Sequence, residues 1–296
     1  MNRSSISLIH YKMPCNTTNG NATTAVGLFE FLAYSPVFLV GFFVNVAALR
    51  AFISIRRSWT DTHIYMLNLA VADLALILSL PFRIYDTFFP LPKTCLCTFL
   101  ISVHFINMYA SMMTTTAISV HRYLVVRFPL QARFWKRKKA AAASVCLIIW
   151  ALLVALAFVF RKENYPERLW TCYERCKDNP LSLKFIILLV FVAYSIPLLT
   201  TVFCSSQVII LLRKHSSSGE KKSLVGIVTA NLIVFVVCYT PIHIAFVVNY
   251  FQTVPSNWMD EYLPAHAFLR VSEWISSTNC CFDSISYYFL LKKIYT

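Results

Sequence analysis

Seven long apolar runs, each at or beyond the roughly 20 residues an α-helix needs to cross a hydrocarbon core, constrain this chain more than anything else in it. They cover Phe29 to Phe52, Ile64 to Phe88, Cys97 to Val126, Ala140 to Phe160, Leu183 to Leu212, Ser223 to Phe251 and Pro264 to Leu290. Only helices and closed barrels satisfy their own backbone in lipid, and these runs lack the alternating segments of about ten residues that a barrel uses. The expected fold is all-α: a polytopic, seven-transmembrane helix bundle over residues 29–290, with a polar tail at 1–28 and a short tail at 291–296. With 58% apolar and only 14% charged residues the chain is no soluble domain, where about a quarter of residues are charged.

Charge sets the orientation. Sixteen of the 27 Lys and Arg residues fall at the ends of spans on one side, among them Arg56, Arg57, Arg122, Arg127 and the Lys136–Lys139 run, opposed only by Asp61 and Glu220. That side therefore carries the whole formal excess of +14, and the positive-inside rule makes it cytoplasmic. A basic chain also raises nucleic acid as a partner, but here the cations hug span ends, where they set topology and meet anionic lipids. The opposite side, with the N-terminal tail, is expected outside the cell membrane. That tail holds three N-x-Ser/Thr triplets, at Asn2, Asn16 and Asn21, which are acceptors for glycosylation once exposed outside. No secretory signal precedes the first span, which would itself direct insertion.

Several polar residues lie inside the spans, where each is costly unless it faces a polar interior. Asp73, Asn107, Ser111, Asn279 and Asp283 fall at comparable depth on spans two, three and seven. Two carboxylates with hydroxyl and amide neighbours suit a hydrated cation or a shared proton; a plain water network is the simpler alternative. Towards the outer end, Arg83, His104, Lys184, His243 and Arg270 project from five spans, with Phe105, Met108, Tyr109 and Tyr239 among them. Such a cationic mouth favours an anionic ligand held by charge-assisted hydrogen bonds, and Glu273 is the discordant residue, able to neutralise an arginine. Packing is the ordinary role of a lone intramembrane histidine. Five cysteines fall outside the spans, namely Cys15, Cys95, Cys97, Cys172 and Cys176, an odd number that leaves their connectivity open. Pro197 and Pro241 offer hinge points.

Taken together and in order, Gly41 with Asn45, Asn-Leu-Ala-Val-Ala-Asp73, Cys97, His121-Arg122-Tyr123, Trp150, Pro197, Phe235 with Pro241, and Asp283 with Tyr287 resemble the rhodopsin-like (class A) G-protein-coupled receptors. The Leu-Pro-Phe-Arg83, Ile-Ser-Val-His-Arg-Tyr123 and Asp283-x-x-x-Tyr-Tyr-Phe patterns are similar to the purinergic and lysophospholipid branch, and the Asn231 to His243 run, Phe203-Cys-Ser205 and the Asn279 to Asp283 segment to its lysophosphatidylinositol-sensing and kynurenate-sensing receptors. The resemblance implies a receptor coupled to a heterotrimeric G protein. Arg122, flanked by His121 and Tyr123 and aided by Tyr287, would receive that partner. It also implies a Cys97–Cys172 disulfide, with Cys176 the rival, and makes sodium the candidate occupant of the Asp73 cluster; no other cofactor is expected. The ligand would be a lysophospholipid or a small acidic metabolite. His121 in place of an acid, Tyr239 in place of a tryptophan, Ser205 in place of a tyrosine, Phe160 and Ser284 in place of prolines depart from the common pattern.

Other functions fit less well. No H-E-x-x-H or G-x-S-x-G constellation supports an enzyme. An amine anchor in span three is missing, since His104 stands there. A transporter or channel using Asp73 and Asp283 is the remaining alternative, yet no inverted repeat is evident.

Overall fold

The computed structural model describes residues 23–54, 60–89, 91–130, 139–169, 171–173, 175–176, 180–215, 219–252 and 264–285. They form seven helical rods: α1 (Thr23–Ser54), α2 (Asp61–Phe88), α3 (Cys95–Arg127), α4 (Lys139–Val159), α5 (Leu183–Ile187, Leu188–Ser195 and Ile196–His215 in succession), α6 (Gly219–Phe251) and α7 (Pro264–Ser277, resuming over 279–285). Between α4 and α5 the chain makes two 3-10 turns and the isolated bridge Leu169–Arg175. The expected glycosylation acceptors Asn2, Asn16 and Asn21, Tyr287, expected to aid coupling, and the tail at 291–296 lie outside the described residues.

Six of the described helices are individually long and apolar enough to cross a membrane. The seventh expected span is not one uninterrupted helix. Ser276 and Ser277 donate their hydroxyls to the Glu273 carbonyl and Thr278 donates to the Ile275 carbonyl, so three successive side chains compete for the ladder, and the helix breaks at Thr278. Asn45 on α1 covers the far side of the break, donating Nδ2 to the carbonyls of Gly41 at 3.0 Å and Cys280 at 2.9 Å. The approach is close: a Cβ on Gly41 would stand 3.1 Å from Ile77 Cδ1 and 3.5 Å from Cys280 Sγ.

A second interior tie joins three helices. Trp150 on α4 donates its indole N–H to Asn68 Oδ1 at 2.7 Å, and Asn68 Nδ2 donates to Thr114 on α3 at 3.0 Å. In hydrocarbon no water competes for such groups, so one asparagine that satisfies two neighbours fixes the register of α2, α3 and α4. The apolar core lies between α3, α5 and α6, where Met108, Tyr109 and Met112 pack with Phe185, Leu189, Phe235, Tyr239 and Phe246. Outward faces are apolar too: Phe43, Leu147, Ile148, Phe158, Val159 and Leu199 are all at least 65% exposed, as a lipid-facing surface requires.

α5 winds as a π-helix over Leu188–Ser195. Ser195 donates to the Val190 carbonyl, and Pro197, just beyond, lacks the N–H that would extend the ordinary ladder. The wider turn brings Tyr194 flat against His243 on α6, with ring centroids 4.0 Å apart.

Candidate functional site

The two ends of α3 carry different chemistry. At the Arg122 end, Tyr123 meets Phe203 of α5 edge-on and packs with Val208, Leu212 and Val228. His121 has an acid after all: its Nε2 lies 3.6 Å from Oδ2 of Asp61, the first residue of α2. The acid comes from the neighbouring helix and meets the histidine. Arg122 itself lines a cavity of about 20 Å³ together with Asn231, Tyr239, Asn279 and Asp283, room for about one water.

That cavity adjoins the mid-bundle polar cluster. Asp73, fully buried, accepts a 3.5 Å hydrogen bond from Ser111 on Oδ1, while its Oδ2 has no hydrogen-bond partner among the described residues. Asn279 donates to Asp283 Oδ2 at 2.7 Å, and Asn107 lies buried on α3 one turn from Ser111. An orphaned carboxylate oxygen with a hydroxyl on its partner oxygen is the kind of oxygen ligand a hard cation takes.

At the Cys97 end, the chain between α4 and α5 folds over the bundle as a lid. Cys97 and Cys172 form the disulfide; the rival Cys176 is engaged in a disulfide of its own, and Cys95 is a free, exposed thiol. Glu163 gathers the lid, accepting from Arg168 at 3.0 Å, Arg175 at 3.1 Å and the backbone N–H of Ser182 at 3.4 Å. Burial alone would raise its carboxyl, but the Ser182 hydrogen bonds and the two guanidinium groups together hold it below the ordinary carboxylate range. Burial pushes Arg175 down to about 10 despite its pairing with Glu163.

Beneath the lid is a cavity of about 80 Å³. Its walls are Ile101 and Phe105 of α3, Leu169, Tyr173, Arg175 and Leu181 of the lid, Ile186 of α5, Phe246 and Tyr250 of α6, and Leu269, Arg270 and Glu273 of α7. Phe105 and Phe246 stack across it with centroids 6.0 Å apart.

The residues expected at the mouth divide into three groups. Phe105, Arg270 and Glu273 line the cavity. Arg83 sits behind it, 4% exposed, donating to Glu273 at 2.7 Å and to Glu30 at 3.4 Å and lying 4.5 Å above the Tyr34 ring. Arg270 donates to Glu30, to Glu273 and to the Tyr173 carbonyl. The third group faces elsewhere. Lys184 is exposed on the first turn of α5. His243 spends both ring nitrogens internally: Nδ1 donates to the Tyr239 carbonyl at 2.6 Å, which leaves Nε2 to accept from the Tyr109 hydroxyl at 3.1 Å. Tyr239 and Met108 are buried in the core, and His104 is buried edge-on to Phe105. Sequence reasoning missed Glu30 and the pairing of His121 with Asp61. For Glu30 a signal existed, an acid inside the first span, where an intramembrane charge implies a nearby opposite one.

Seven helical rods, a disulfide-tied lid over an interior cavity, and an arginine at the far end of the same helix define a membrane receptor. The chain belongs to the 7 transmembrane receptor (rhodopsin family), whose family model matches residues 44–287, and it is a G-protein-coupled receptor of the cell membrane. Among its relatives are G-protein coupled receptor 35 of Mus musculus, 34% identical over 288 residues covering 94% of this chain and 91% of that protein, and G-protein coupled receptor 55 of Homo sapiens, 30% identical over 275 residues covering 89% and 85%. Lysophosphatidic acid receptor 4 of Homo sapiens is 30% identical over 299 residues covering 94% and 80%. These similarities bear out the expected fold and the receptor class, within the branch expected from the sequence, and lend nothing to the transporter alternative.

Proposed function

We propose that this receptor binds an acidic ligand, a lysophospholipid or a small acidic metabolite, in the cavity beneath the lid, and that the N-terminal side of the bundle, with its glycosylation acceptors, faces outward. The observation that carries the reading is the cavity's composition: apolar and aromatic walls from α3, α5, α6 and the lid, with the Arg270 guanidinium on its α7 wall and Arg83 directly behind. Apolar walls with a few convergent polar groups are the general form of a small-molecule site, and a guanidinium pairs with carboxylate or phosphate through two parallel bonds. That one relative is a lysophosphatidic acid receptor favours the lysolipid member of the pair. Ligand binding would shift the bundle towards the state in which Arg122 meets the G protein, and sodium held by Asp73 and Asp283 would favour the other state.

Membranes carrying the receptor, challenged with lysophosphatidic acid, lysophosphatidylinositol and kynurenate, test the reading through GTPγS uptake on added G protein. At least one of these acids raises uptake, and Arg270→Ala or Arg83→Ala cuts its potency at least about tenfold, the value of one lost charge-assisted bond, at equal surface expression. Unchanged potency in both variants contradicts the site.

A further inference from the structure

The two arginines of the cationic mouth read from the sequence are, in the folded chain, electrically balanced. Arg83 and Arg270 face two carboxylates, Glu273 of α7 and Glu30 of α1, and Glu30 Oε1 is shared by Nη2 of both arginines. Three of the four residues are at least 93% buried. An acid entering this cluster as it stands gains no net attraction, because each guanidinium already has a carboxylate.

The two carboxylates are not equivalent. Glu273 lies one helical turn beyond Arg270 on the same helix and lines the cavity. Glu30 lies on a different helix and does not line it; it reaches the arginines from behind and sits where an anion bridging Arg83 and Arg270 would sit. The guanidinium pair also has donors to spare: Nε of Arg83 and Nε of Arg270 are both buried without an acceptor among the described residues. One bridging carboxylate oxygen leaves two buried donors unmet, at a cost, whereas a tetrahedral phosphate, with three free oxygens, offers acceptors to each.

We propose that Glu30 is a tethered stand-in for the ligand's acid group: it occupies the anion seat between Arg83 and Arg270 in the ligand-free receptor, and an acidic ligand acts by taking its place. The seat deepens the acidic-ligand reading and rests on it. Replacement removes the ion-pair tie of α1 to α2 and α7 and leaves the Trp274–Ala33 hydrogen bond and the Phe29–Trp274 and Phe31–Phe88 ring contacts in place, so occupancy of the seat is coupled to one of several ties between these helices. It also sets selectivity, since a competing carboxylate is displaced more readily by a phosphate group with its higher charge than by another single carboxylate.

The test has two arms. In the first, the purified full-length receptor in detergent is melted with inorganic phosphate or with sodium chloride at matched ionic strength. Glu30→Gln keeps the side chain's shape but removes the competing charge, so phosphate raises its melting temperature by about 3 °C or more beyond the wild-type response; equal responses overturn the proposal and leave Glu30 as a structural tie. Should Glu30→Gln not express, Glu30→Asp, whose carboxylate is withdrawn by one methylene, is measured in the same way with the same two outcomes. In the second arm, GTPγS uptake is driven by lysophosphatidic acid or kynurenate. Glu30→Gln lowers the half-maximal concentration at least about tenfold, the gain from removing one intramolecular competitor, and a loss of potency like that of Arg83→Ala overturns the proposal. If neither acid activates the wild type, the acidic-ligand reading has failed on its own, and the melting arm still decides whether an anion seat exists.

Discussion

The residue that departs most from the receptor family's common pattern is also the one whose surroundings explain the departure. A permanent carboxylate beside Arg122 would hold the arginine directly; His121 instead turns to Asp61 of α2 at 3.6 Å. A His121→Asp variant puts an acid next to Arg122 and a second carboxylate near Asp61. The account predicts lower ligand-free GTPγS uptake at matched surface expression, because the arginine gains an adjacent carboxylate on its own helix in the resting bundle; equal or higher uptake contradicts it. At this scale much was legible from sequence. A charged or amide side chain inside a span must find a polar interior, which is why Asp73, Asn107, Ser111, Asn279 and Asp283 could be expected in one cluster and Arg83 beside an anion; the structure pairs Ser111 with Asp73, Asn279 with Asp283 and Arg83 with Glu273. The identity of each partner was not legible, because pairing across helices depends on rotation and depth. Nothing in a linear chain says that residue 30 meets residues 83 and 270, or that His243 faces Tyr109 and Tyr194 rather than a ligand.

Among the elements, the lid between α4 and α5, tied at Cys172 and Cys176 by disulfides, gathers its polar contacts on one carboxyl. Glu163 accepts from Arg168, Arg175 and Ser182, and its pKa is held below the ordinary range. A carboxyl lowered by folding contributes stability that is fully present above its unfolded value, about 4.3 for glutamate, and is lost as pH falls through the lower folded value. Lid protection in hydrogen exchange, corrected for the intrinsic rate, is therefore flat from pH 7 to pH 5 and falls only below about pH 4. In Glu163→Gln it is already low at pH 7. A wild-type loss of protection between pH 7 and pH 5 contradicts this. Helix identity at this scale was readable from apolar length; local breaks were not. The interruption at Thr278 arises because three adjacent hydroxyls bond back to the preceding turn, and a run of Ser-Ser-Thr inside an apolar span reads equally well as an unbroken helix. The π turn of α5 was foreshadowed only by Pro197.

Across the whole molecule, the fold connects a lidded cavity to Arg122 through one continuous rod, α3, whose 33 residues pass the polar cluster on the way. A rod tied by disulfide at one end, by Asn68 and Trp150 through Thr114 in the middle and by Thr116 to Thr201 of α5 lower down is suited to act as the fixed axis, against which α6 and α7 exchange between arrangements. Pro241 in α6 and the break in α7 lie where such an exchange needs bending. The central claim is that Arg122 converts this exchange into action on a G protein. Nucleotide exchange measured on a panel of purified Gα subunits, with wild-type and Arg122→Ala receptor in lipid nanodiscs, tests it most directly. The account predicts that the wild type accelerates exchange on at least one subunit and that Arg122→Ala reduces this at least about tenfold, roughly the loss of one charge-assisted bond, with lysophosphatidic acid or other activating acid still bound; undiminished exchange by the variant would contradict it.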